Sequence, residues 1–203
     1  MKKFMTAATL LAATAFVPFS AANANLITNG SFESPAIGGW NVFSTISGWT
    51  TISGSGIEIQ HGVAGSSYDG VQHVELDSYN NSAMEQLVST TVGQIYDLSF
   101  AYSPRPGIPA SSNGISVYWD GSLIDTITGY VNGDTSWSLH NYLVTATSST
   151  SSLVFAATGT NDSLGGYIDA VSLETARVPE PSSIALMGLG LLGLGFARKQ
   201  KSY

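Results

Sequence analysis

Ile95-Tyr96-Asp97-Leu98-Ser99-Phe100-Ala101-Tyr102 carries a large apolar or aromatic side chain at every second position from Tyr96 onward. In an extended chain, successive side chains leave on opposite faces, so Tyr96, Leu98, Phe100 and Tyr102 share one. The stretch therefore predicts a half-buried β-strand.

The same period recurs on both sides of it. Residues 114–127 place Ile115, Val117 and Trp119 on one side and then reach Asp120-Gly121, the residue pair that a two-residue hairpin loop favours. Shorter runs fall at 56–60, 71–77, 83–92, 140–146, 152–157 and 167–173, separated by clusters of Gly, Ser, Asn and Thr. The Ser/Thr-rich stretch 145–152 reads as strand edges and turns, because apolar runs flank it closely. About nine short strands, almost no helical period and no internal repeat predict an all-β fold, an antiparallel β-sandwich or jelly roll. The domain is expected over 25–177, with a linker beginning near Arg177.

Both ends of the chain read differently. The first residues hold Lys2 and Lys3, an apolar run from Ala7 to Phe19, and Ala22-Asn23-Ala24. That order predicts a signal peptide over 1–24, cut by signal peptidase after Ala24. At the other end, Ile184 to Ala197 carries no charge, but as a helix it would span only about 21 Å against ~30 Å of hydrocarbon. Gly188, Gly190, Gly193 and Gly195 suit close helix packing in a membrane, and Arg198, Lys199 and Lys201 mark a cytoplasmic end. A short transmembrane helix with a removable tail is expected over 178–203.

Between these segments the charge is one-sided. Thirteen carboxylates from Glu33 to Glu174 face only Arg105 and Arg177, a balance of −11 for 25–177. Such a field makes nucleic acid and anionic lipid surfaces poor partners and leaves cations and neutral glycans. With no cysteine in the chain, thiol chemistry and disulfides are excluded too.

Val178-Pro179-Glu180-Pro181, the short apolar helix and the basic end together resemble the PEP-CTERM sorting signal of Gram-negative bacteria. The resemblance implies that Pro179, Glu180 and Pro181 are read by an exosortase. It also implies transient anchoring in the inner membrane, then release to the outer surface or an exopolysaccharide matrix. A second resemblance covers the body: residues 25–33 (NLITNGSFE), 48–50 (GWT), 93–100 (GQIYDLSF) and 167–173 (YIDAVSL) are similar to the galactose-binding-like jelly roll of DUF642 and carbohydrate-binding-module type. It implies a polysaccharide-binding scaffold that seldom carries a catalytic centre.

Candidate site residues follow from both readings. His73 and Glu75 lie on the polar side of a strand whose other side, Val74 and Leu76, is apolar. Tyr68, Tyr79 and Tyr118 are expected to line the same side of the sandwich, where rings stack on sugar CH faces and carboxylates bind hydroxyls. The alternative for each is an ordinary half-exposed strand residue. Trp49, Trp119 and Trp137 are expected in the core; Trp40 is left open. Glu75 and Asp77 share strand parity about 7 Å apart, but a glycosidase pair faces across a bond from different strands, so an acid/base role is the minor reading. His61, His73 and His140 have no metal spacing, and neither a Gly-x-Ser-x-Gly elbow nor a P-loop is present.

The carbohydrate-binding-module resemblance further implies a structural calcium ion joining first strand to last, held by Glu33, Asp169 and the carbonyl of Ser31. Strict alternation gives Asp169 the parity of Val171 and Leu173, toward the core, where a carboxylate needs a cation or several donors. The alternative is a carboxylate satisfied by main-chain N–H groups of the Asn29-Gly30 loop. The expected function is a non-catalytic, exported surface or matrix protein that binds polysaccharide. The competing readings are a structural or adhesive protein without a defined ligand and, last, a glycoside-active enzyme.

Overall fold

A computed structural model describes residues 24–176. The expected signal peptide, apart from Ala24, and the Pro179-Glu180-Pro181 tail lie outside the described residues.

Among the described residues, twelve strands form two six-stranded sheets in which every pairing is antiparallel. The first sheet runs β1 (Gly39–Phe43), β4 (Ile57–His61), β5 (His73–Glu75), β12 (Tyr167–Thr175), β7 (Ile95–Ser103), β10 (Ser138–Thr145). The second runs β2 (Thr45–Ile46), β3 (Trp49–Ser53), β6 (Ala83–Ser89), β11 (Thr150–Thr158), β8 (Gly114–Trp119), β9 (Ser122–Ile127). No described residue is helical. The all-β sandwich is therefore observed, with β1, β2 and β3 added to the strands read from the sequence. Their faces explain the omission: β1 is largely exposed, and Trp49 is the one buried residue of β3, so neither shows a two-residue period.

The alternation of β7 is kept in full. Tyr96, Leu98, Phe100 and Tyr102 are all buried between the sheets, opposite Ile115, Val117, Leu153 and Phe155 of the second sheet. Phe100 meets Phe155 edge to face across the sandwich, with ring centroids 5.0 Å apart. Asp120 and Gly121 both adopt positive φ, +48° and +76°, the left-handed pair that joins β8 to β9 with the twist the strands require. Trp49 and Trp119 are buried as expected.

The start of the body docks against the last strand. Leu26 N–H donates to the Leu173 carbonyl, and Val171 N–H to that of Gly30. A Cβ at Gly30 would lie 2.0 Å from the Val171 carbonyl oxygen, so only glycine permits the approach.

A β-bulge in β12 corrects the parity inferred for Asp169. The register against β7 shifts between Asp169 and Ser172, with Ala170 at φ +49°. Ile168, Val171 and Leu173 face the core, whereas Asp169 pairs with Ala101 and joins Tyr167 on the outer face. One inserted residue thus turns the carboxylate to the other side of the sheet.

Candidate functional site

The outer face of the first sheet is polar yet covered. Glu58 and Gln60 alternate outward from the core residues Ile57 and Ile59 of β4, and His73 and Glu75 flank core residue Val74 of β5. Tyr167 of β12 is paired with Glu75. All five are buried, because a strap of residues 62–72 and the loops carrying Arg105 and Gly165 lie over them.

Three carboxylates from distant parts of the chain fasten that strap. Asp134 accepts from the N–H and hydroxyl of Ser66 at 2.9 and 3.0 Å. Asp169 Oδ2 accepts the N–H groups of Tyr68 and Asp69 at 2.8 and 2.9 Å. Glu33 Oε1 accepts those of Val71 and Gln72, at 2.8 Å each. Trp137 completes the closure: its indole N–H donates to the Ser66 carbonyl at 2.8 Å, and its ring meets His73, Tyr68 and Tyr167. It is half-buried on the outer face, which corrects its expected place in the core.

Beneath the strap sits a charged network. Arg105 forms an ion pair with Glu75, whose other oxygen accepts the N–H of Gly165 at 2.6 Å. Gln60 Nε2 donates to both Glu75 and Glu58, tying two carboxylates to one guanidinium. Burial pushes Glu75 up to about 8 against the pull of Arg105, and raises Glu58 as well. The same desolvation drives His73 down to about 4, with Arg105 adding to it, so the imidazole is neutral. His73 packs on Tyr167 at 4.3 Å between centroids, and its Nε2 has no hydrogen-bond partner.

At one end of this network the surface opens. A cleft of about 240 Å³ is lined by Trp40, Glu58, Val63, Ser78, Arg105 and Ser163. Trp40 pairs with Gln60 across β1 and β4 and so stands on the same outer face. Its side chain is 50% exposed and meets the 64% exposed Tyr79 edge to face at 6.3 Å. An aromatic wall thus stands beside two hydroxyls, a carboxyl and a guanidinium.

The residues singled out in the sequence are only partly brought together. His73 and Glu75 share one face, but both are fully buried and not open to a ligand. Tyr68 is exposed on the strap against Trp137, and Tyr79 stands at the cleft. Tyr118 is in β8 of the second sheet, away from all of these, because its run pairs with β11 and β9. Asp77 follows β5, buried, with the N–H of Asp162 donating to it at 3.2 Å; it does not face Glu75 across an opening. Trp40, Glu58, Gln60 and Arg105 are the additions. Their signal was present: Glu58 and Gln60 are the polar half of an alternating strand, and Arg105 is the only Lys or Arg among the described residues.

Glu33 and Asp169, the side chains inferred to hold calcium, both accept main-chain N–H groups of the strap. Asp169 is buried on the outer face, and burial pushes it up to about 7; N–H groups of Asp69, Ala170 and Tyr68 pull it down, while the charge of Asp69 pushes it up further. Among the described residues no three acidic or histidine side chains group closely enough to hold a metal by themselves. A buried carboxylate with no cationic side chain bonded to it still fits an oxygen-seeking ion, provided main-chain carbonyls supply much of the shell.

The fold and cleft define a class: a two-sheet β-sandwich presenting a small, aromatic-walled polar site on one outer face. Residues 25–174 match the family described as "Protein of unknown function (DUF642)", and residues 177–199 match the "PEP-CTERM protein-sorting motif". The chain belongs to the DUF642 family. It is similar to segments of two proteins named "Multifunctional-autoprocessing repeats-in-toxin". The match is 33% identical over 150 residues in Vibrio cholerae serotype O1 and 30% over 162 residues in Vibrio vulnificus. These cover 72% and 79% of this chain but 3% of each toxin. Among solved structures, a CBM35 from Paenibacillus barcinonensis aligns with a TM-score of 0.44 at 18% identity, over 68% of this chain and all of that one. A family 35 carbohydrate binding module from an environmental isolate aligns at 0.47 and 18%, over 69% of this chain and 98% of that one. TmCBM61, solved with β-1,4-galactotriose, aligns at 0.46 and 17%, over 75% of this chain and 99% of that one.

Proposed function

We propose that this is an exported, non-catalytic protein of the cell surface or extracellular matrix that binds polysaccharide through the Trp40 cleft. The observation that carries the reading is the half-exposed Trp40, backed by Tyr79 and set beside Glu58, Arg105, Ser78 and Ser163. A flat aromatic face takes the CH side of a sugar ring, while the hydroxyls and charged groups around it bond the sugar's hydroxyls. The sorting motif at 177–199 supports export and handling by an exosortase. Structural calcium bound by Glu33, Asp169 and the Ser31 carbonyl belongs to the same proposal; the burial of Asp169 without a cationic side chain bonded to it supports the reading.

A glycan array tests the function. The protein is expected to retain at least one class of polysaccharide, and Trp40→Ala to lose that retention while keeping its melting temperature. Equal retention by Trp40→Ala would remove the cleft from the function.

A further inference from the structure

We propose that the cleft takes a single neutral sugar residue and rejects uronates and other anionic sugars; this rests on reading the cleft as the glycan site. The argument starts from the cation. An arginine in a sugar cleft would ordinarily invite a carboxylate, but Arg105 is already committed to buried Glu75. Gln60 links Glu75 to Glu58 in the cleft wall, and the charge of Asp77 also acts on Glu75. The guanidinium is thus bonded to Glu75 and felt by Glu58 before any ligand arrives. Further away the field has the same sign, since the described residues hold thirteen carboxylates and no other Lys or Arg. A uronate would have to compete with Glu75 for the one cation, in a domain whose other strong charges are all carboxylates, which costs binding energy.

The remaining walls suit an uncharged ring. Trp40 and Val63 are apolar, and exposed Ser163 can donate to or accept from hydroxyls, while the Ser78 hydroxyl is shared with that of Ser55. At about 240 Å³ the cleft is smaller than the ~300 Å³ at which pockets for drug-sized ligands begin, so it holds one residue of a chain and not several.

Matched polymers isolate the charge. The full chain, purified in detergent, is run through native gels containing polygalacturonate or its methyl-esterified form, beside neutral galactan, mannan, xylan and glucan. The expected result is retardation by one or more neutral polymers, unchanged between low and high salt, none by polygalacturonate, and loss of retardation in Trp40→Ala and Tyr79→Ala. The monosaccharide of the retarding polymer is expected to compete within about tenfold of its oligomers. Retardation by polygalacturonate that both variants abolish would overturn the neutral-sugar proposal and leave the cleft standing. A requirement for oligomers would overturn the single-residue part. Retardation that survives both substitutions, or no retardation at all, would overturn the cleft reading and this proposal with it.

Discussion

Asp169 of the last strand receives the main-chain N–H groups of Tyr68 and Asp69, 101 and 100 residues earlier in the chain, on one carboxylate oxygen. The bulge at Ala170 makes this contact, because it turns Asp169 away from the core and toward the strap. Asp169→Ala is expected to leave these N–H groups unpaired and to destabilise the domain by about 3 kcal/mol. Hydrogen exchange should locate the loss: amides of 66–72 exchange faster, while those of β7 keep their relative protection. Uniform loss across both regions would show that Asp169 supports the whole fold and not the strap.

Acid should favour the folded state at neutral pH and above. Glu75 at about 8 and Asp169 at about 7 lie above their unfolded values, so folding favours their protonated forms, and the stability this provides is lost as pH rises through those values. His73, held at about 4, has the opposite sign, but its contribution changes only between about 4 and the unfolded histidine value of ~6.5. Between pH 6.5 and 8.5, therefore, the melting temperature in chelator is expected to fall. Glu75→Gln should flatten that slope, and a rising melting temperature over the same range would contradict the raised carboxyls.

Arg105→Met should cost about 1–3 kcal/mol, because it removes a hydrogen-bond partner of buried Glu75 Oε2. Adding Glu75→Gln should recover part of the loss, since the amide needs no cationic partner. A double-mutant cycle by urea denaturation checks this; additive losses would place the cost in the packing of the Arg105 side chain.

Calcium is expected to raise the melting temperature relative to chelator. Binding to the folded state alone gives about 2.7 kcal/mol at a hundredfold excess over the dissociation constant. Asp169→Asn should remove that shift. An unchanged midpoint in the wild-type protein, or a shift that survives in the variant, would rule out the site.

Processing supplies a test independent of the sandwich. In a host with the matching exosortase, Glu180→Ala is expected to hold the precursor in the inner membrane, and the exported protein should lack residues beyond the Pro179-Glu180-Pro181 region. Intact Tyr203 on extracellular protein, found by mass spectrometry, would contradict removal of the tail.

The strands with one face in the core were legible because their pattern is local: Tyr96 to Tyr102 and Ile115 to Trp119 state their own faces. Asp169 misled because a bulge resets the count, and the sequence of β12 gives no separate sign of the extra residue. His73 and Glu75 were correctly set on the polar side, but polar did not mean exposed. What covers them is the strap, a Gly/Ser-rich stretch without period whose position depends on acceptors far away in sequence. Trp137 lies next to the apolar run of β10, and only the hydrogen bond to the Ser66 carbonyl shows why it turns outward. Arg105 could have been found by charge alone, as the single strong base among the described residues.

β12 is the last strand of the described residues but sits in the middle of its sheet, between β5 and β7. Until it pairs, β1, β4 and β5 have no link to β7 and β10 within that sheet, and Asp169 is not in place to fasten the strap. A chain that crosses a membrane from its N-terminus therefore cannot finish folding while residues 167–175 are still inside. For a chain exported in that direction, the first sheet and the cleft on its outer face close only after β12 has emerged.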